Sequence, residues 1–213
     1  MELDYNKYVI RNKEFYSNFI GYKADDSRVV GWESTMSAHR RYKKCLELSK
    51  VRDGDSIIDV GCGTGIFYKY LSEHLDHFDY LGIDVIDVYV ESAKKLYPDA
   101  NFMIGNFLKM PVENKFDVLF AIGSFYTNGV KSIDEQYEYL YSCVKKARKI
   151  SDRGVITLVV SDEQVDNYYS DGVLFSKYNI YLPDTVYDVF DKLGLNWYYV
   201  NFGNEWIISY MIK

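Results

Sequence analysis

The chain has 213 residues, 48% of them hydrophobic, and 25 basic against 31 acidic side chains give a formal charge of −6. That length supports one domain with a sizeable core. The acidic balance argues against broad nucleic-acid binding, which rests on a basic footprint, and there is no apolar run of about 18 residues to span a membrane.

The three cysteines, Cys45, Cys62 and Cys143, are scattered and form no CxxC pair, so neither a disulfide framework nor a zinc site is expected. The opening MELDYNKYVIRNKEF has no uninterrupted apolar signal region, and the default expectation is a cytoplasmic protein with no membrane partner.

In chain order, Tyr8, Phe15, Phe19 and Ile20 mark a helical stripe. A polar break at 23–28 follows, then a second helical stretch at about 34–49. Residues 1–50 are read as a helical cap ahead of one α/β domain, 51–213. From residue 56 short β-rich runs recur: 56–60, 80–85, 101–105, 116–123, 154–161, 196–202 and 206–213. Helix-length segments separate the first five, as in βαβ units, so those strands should be parallel.

The clearest helix precedes GVITLVVS, where Tyr137, Leu140, Val144 and Ala147 share one apolar face. The last two runs are separated only by Gly203, Asn204 and Glu205, which predicts a hairpin. The expected fold is doubly wound α/β: a mostly parallel seven-stranded sheet, helices on both faces, and a C-terminal antiparallel β-hairpin. Segment 162–183 is too long for a simple connection. Its aromatics Tyr168, Tyr169, Phe175, Tyr178 and Tyr181 predict a lid.

The first strand runs into Asp59-Val60-Gly61-Cys62-Gly63-Thr64-Gly65. Glycines at such a turn let a ligand approach bare backbone at the carboxyl edge of the sheet. A dinucleotide fingerprint would need glycine at 61, 63 and 66, but position 66 is Ile, so that spacing fails. Asp84 closes the second strand, where a carboxylate can accept hydrogen bonds from ribose hydroxyls.

The pairing of D-x-G-x-G-x-G with Asp84 resembles the class I S-adenosylmethionine (SAM) dependent methyltransferases, which have a Rossmann-like fold, in the manner of a small bacterial or phage-type member. The resemblance covers about 51–213 by organisation. It implies SAM as cofactor, S-adenosylhomocysteine as product, and a site of Asp59, Gly61, Cys62, Gly63, Gly65, Asp84 and Val85. Further along it implies that Asn106 meets the adenine amino group, that Phe107 packs on the ring, and that Ile122 and Gly123 approach the cofactor. Trp32 and Arg41 resemble a pattern preceding the glycine motif in some small members, where an arginine reaches the SAM carboxylate. Arg40 is adjacent, and the choice between the two stays open.

For several of these residues a plainer reading stands beside the functional one. Asp59 also suits a residue that merely holds the turn, and Cys62 a small loop residue rather than a nucleophile. His74 and His77 lack the companions a metal needs, so no metal is expected. The basic run at 145–149 reads as the polar face of an amphipathic helix.

No catalytic residue is legible, since methyl transfer from a sulfonium depends mainly on alignment. His39 and Tyr126 are the weak candidates. Base methyltransferases of one type carry Asp/Asn-Pro-Pro-aromatic after the fourth strand, where this chain reads Gly123-Ser124-Phe125-Tyr126. The expected function is methyl transfer to a small-molecule or side-chain acceptor. The alternatives are a non-catalytic SAM-binding accessory protein, another reaction on a SAM-like ligand, a nucleic-acid methyltransferase of another type, and an NAD-dependent oxidoreductase.

Overall fold

The computed structural model describes residues 5–17, 19, 21–111, 115–126, 132–161, 167–170, 173–176 and 180–212. Helix α1 spans Tyr5–Ser17, and a 3-10 turn at Ser27–Val30 leads into α2, Thr35–Ser49. Ser34 caps α2 by accepting a hydrogen bond from the Ser37 amide at 3.2 Å.

The alternating part then runs β1 (Ser56–Val60), α3 (Ile66–Ser72), β2 (Asp79–Asp84), α4 (Asp87–Leu96), β3 (Asn101–Ile104) and β4 (Phe116–Ala121). It continues with α5 (Ile133–Ile150), β5 (Ser151–Val159), a ribbon of β6 (Asn167–Ser170) and β7 (Val173–Ser176), α6 (Pro183–Lys192), β8 (Asn196–Phe202) and β9 (Glu205–Met211).

The main sheet has seven strands in the order β3-β2-β1-β4-β5-β9-β8. The first five are parallel, and β9 runs antiparallel between β5 and β8. Alternation along the buried strands sends their side chains to two cores. Ile58, Leu119, Ile156 and Ile208 join the core under α5 and α6, while Ile57, Val118, Phe120 and Ile207 face α2, α3 and α4. On α5, Leu140, Val144 and Ala147 are fully buried as the spacing predicts, and Ser132 caps the helix through the Glu135 amide.

Helix α2 packs into the second core, with Tyr42 and Phe67 ring centroids 4.9 Å apart. In 162–183 the described residues form the ribbon that pairs Tyr168 with Phe175, and Tyr181 is a core residue whose hydroxyl donates to the Phe125 carbonyl at 2.7 Å. Tyr178 lies outside the described residues. No helix among the described residues is long and apolar enough to cross a membrane.

Gly65 begins α3 at φ +82°, and a Cβ there would lie 2.9 Å from ring atoms of both Phe102 and Tyr97. Gly65→Ala should therefore cost about 2–4 kcal/mol from left-handed backbone strain and overpacking, read as a lower urea midpoint at unchanged slope.

Candidate functional site

Strand order reverses between β1 and β4. The connections leaving these two strands turn to opposite sides, and a crevice opens at their carboxyl ends. The amides of Gly61 and Cys62 donate to the Ile83 carbonyl at 2.7 and 3.1 Å, fastening the glycine turn to the end of β2. Asp84 takes the next amide: Gly63 N–H donates to its Oδ2 and Ile86 N–H to its Oδ1, each at 2.9 Å. Gly61 sits at φ +80°, and a Cβ there would come 2.3 Å from Ser124 Cβ. The turns after β1 and β4 thus touch with no room for a side chain between them.

Asp59, Gly61, Cys62, Gly63, Asp84, Val85, Asn106, Phe107, Ile122, Gly123 and Trp32 all line this cleft, as does Tyr126. Counted out to its mouth with open solvent included, the space in the cleft is about 1270 Å³. The Asn106 side-chain carbonyl is partly committed, since its Oδ1 accepts the Leu108 amide at 2.9 Å.

Three expected site residues lie elsewhere. Gly65 is used for the close approach of α3 to Phe102 and Tyr97. Arg41 faces inward and Arg40 outward, yet the Arg41 guanidinium forms a buried ion pair with Glu205, Nε to Oε2 at 2.6 Å. It also donates to Ser37 Oγ at 2.7 Å and stacks behind Trp32, 4.8 Å from the ring centroid. His39 packs on Tyr70 with ring centroids 5.0 Å apart, away from the cleft. Burial and the Glu205 carboxylate hold the Tyr126 phenol well above its ordinary pKa, which keeps it protonated and unsuited to act as a base at neutral pH. Among the described residues no cluster could hold a metal ion.

Asp59 is 2% exposed, and burial raises its carboxyl to about 7; the Tyr80 hydroxyl, donating at 2.7 Å, opposes that rise and Asp84 adds to it. Asp84 is likewise raised by burial, against the pull of the Ile86 and Gly63 amides. Two carboxylates therefore face one cleft. No other charged side chain lines it among the described residues.

Helix α1 supplies a wall that reading for motifs missed: Tyr8, Val9, Asn12, Phe15 and Tyr16. The signal was the helical stripe itself, since these positions recur on one face. The Tyr8 hydroxyl donates to Glu135 Oε1 at 2.6 Å, and Lys109 Nζ donates to Asn6 Oδ1 at 2.6 Å. At the other end Lys13 meets Asp87 at 3.3 Å, and the Tyr89 hydroxyl donates to the Tyr16 carbonyl at 3.1 Å.

Residues 57–147 match a methyltransferase-domain family model. A putative methyltransferase of Invertebrate iridescent virus 6 is 22% identical over 70% of this chain and 57% of its own length. A 24-methylenesterol C-methyltransferase of Arabidopsis thaliana is 32% identical over 47% of this chain and 29% of its own. The chain thus spans little more than half of the first relative and under a third of the second. The structure of magnesium protoporphyrin IX methyltransferase from Synechocystis with bound SAM superposes with a TM-score of 0.66 at 13% identity, covering 100% of this chain and 99% of that one. That likeness is one of fold.

A raised carboxyl is most stabilising when protonated, so the contribution of Asp59 is full below about pH 4 and lost as pH rises through about 7. Asp59→Asn should match the parent in urea midpoint near pH 4 and exceed it progressively up to pH 8. A second prediction concerns the buried pair. Arg41→Met should cost about 3–5 kcal/mol by leaving Glu205 uncompensated, and adding Glu205→Leu should restore most of that loss, as urea unfolding of the three variants would measure.

Proposed function

We propose that this chain is a class I SAM-dependent methyltransferase, a reading its matched domain and fold support, and that it binds SAM in the cleft at the carboxyl ends of β1 to β4. There it transfers the methyl group to a small-molecule acceptor, a reaction of class EC 2.1.1.-. The observation that carries this reading is the charge of the cleft. Its charged lining among the described residues is two buried carboxylates, Asp59 and Asp84. Such a lining favours a cationic ligand with an ammonium and a sulfonium over a dinucleotide pyrophosphate.

Bound SAM supplies an electrophilic methyl on sulfur, so the chain's task is to align two partners and exclude water. In this reading the glycine turn and Asp59 take the amino-acid end. Asp84 takes the ribose hydroxyls with the lone pairs left after Gly63 and Ile86, and Val85, Asn106 and Phe107 take the adenine. Residues 51–213 hold the cofactor while α1, from the first 50 residues, closes the cleft. Ile122, Gly123, Trp32 and Tyr126 then face the transferred methyl.

Calorimetry should find SAM and S-adenosylhomocysteine binding and NAD not binding. SAM at 100 times its dissociation constant should add about 2.7 kcal/mol of stability. Asp84→Ala should weaken that binding by about 2–3 kcal/mol, since hydrogen bonds to a charged acceptor are lost. NAD binding in place of SAM would end the reading, and a change under tenfold in the variant would remove Asp84 from the ribose role.

A further inference from the structure

The acceptor's chemistry is written in the part of the cleft that the cofactor does not claim. We propose, building on the methyl-transfer reading above, that the acceptor is a small amine without an anionic group, methylated on nitrogen where Trp32 and Tyr126 meet the Gly123–Ser124 turn. Those residues converge: the Trp32 ring edge lies 3.2 Å from where a Gly123 Cβ would stand, and Trp32, Ser124 and Tyr126 line the same cleft. Tyr42 lines the cleft beside them.

The charge inventory of the described lining disfavours anions. Among the described residues no lysine, arginine or histidine lines the cleft. Cations close by are engaged: Arg41 pairs with Glu205 behind Trp32, Lys146 donates to the carbonyls of Phe107 and Met110, and Lys13, whose charge acts on Asp84, pairs with Asp87 at 3.3 Å. A carboxylate, phosphate or thiolate acceptor would find no cationic side chain in the described lining, only the sulfonium of bound SAM to set against Asp59 and Asp84.

The supply of bases excludes neutral acceptors that must lose a proton. A hydroxyl becomes nucleophilic with help from a base, and an alkene carbon, once methylated, leaves a carbocation that must shed a proton. Among the described residues no histidine or lysine lines the cleft to take either proton, and burial keeps the Tyr126 phenol protonated. Asp59 and Asp84 are engaged by Tyr80 and by the amides of Gly63 and Ile86.

An amine avoids both problems because it gives its proton to water before it enters. Its lone pair forms the N–C bond, the C–S bond breaks with its electron pair going to sulfur, and the sulfonium becomes a thioether. The product is an ammonium, which aromatic faces attract and which loses its proton to water after release. Ser124 offers the orienting contact: its Oγ is buried and has no hydrogen-bond partner among the described residues, and a hydroxyl can accept an amine N–H.

The test uses the full chain saturated with S-adenosylhomocysteine and titrated with pairs of equal shape, benzylamine against benzoate and cyclohexylamine against cyclohexanecarboxylate, with benzyl alcohol and styrene as neutral probes. The amines should bind at least tenfold more tightly than their carboxylates, and with SAM only the amines should gain a methyl group by mass spectrometry. Trp32→Ala should weaken amine binding about 2–12-fold, the range of a lost aromatic contact, while leaving S-adenosylhomocysteine bound. Carboxylates binding as well as amines, methylation of benzoate, benzyl alcohol or styrene, or no amine binding to the loaded protein would each overturn the amine while the methyl-transfer reading stands. Failure of S-adenosylhomocysteine itself to bind would overturn both.

Discussion

Everything about the cleft depends on how the end of β2 holds the turn that follows β1. The Ile83 carbonyl accepts two successive amides, from Gly61 and Cys62, and the Asp84 carboxylate accepts the next, from Gly63. The same carboxylate holds the Ile86 amide at the start of α4. One side chain thus joins a glycine turn, a strand end and a helix start, and the residues lining the crevice are positioned by that junction. The local cost of three left-handed glycines, Gly61, Gly63 and Gly65, is offset because each lets another element come close: the Ser124 turn, Val30, and the Phe102 and Tyr97 rings.

That junction also sets the electrostatics. Amide dipoles aimed at Asp84 lower its pKa, and burial raises it further than they can compensate. Asp59 has a single hydroxyl donor, from Tyr80, and rises to about 7. The protein therefore carries two carboxyls raised by burial in one cleft, and perturbed groups of this kind cluster at functional sites. The Arg41–Glu205 pair has the opposite character. It is matched and enclosed, it ties α2 to β9, and it keeps a nearby guanidinium from neutralising the cleft.

Helix α1 completes the enclosure from outside the α/β core. It crosses from Glu135 on α5 to Asp87 and Tyr89 on α4, so both halves of the sheet's carboxyl edge hold it down. Its two ends differ in kind. The Tyr8–Glu135 hydrogen bond is buried, whereas Lys13–Asp87 and Lys109–Asn6 are exposed contacts of small worth. The helix is thus held more firmly by its inward aromatic face than by its surface charges.

The β-rich runs, their helix-length spacing, the terminal hairpin and the glycine turn with Asp59 and Asp84 were all legible in the sequence, because each is a local pattern of period, turn residue or strand end. Tertiary structure decided what local pattern cannot carry. Arg41 and Glu205 are far apart in sequence and became partners only because β9 folds beside β5 and under α2, which took Arg41 out of the site. Gly65 looked like a ligand-contacting glycine and proved to be a packing glycine, since the rings that require it come from β3 and the end of α4. Of the aromatics in 162–183, Tyr181 went to the core, a place its local sequence does not announce. A stripe such as Tyr8 and Phe15 states that a helix has an apolar face. Which surface that face covers depends on long-range packing, and here it is the open edge of the sheet.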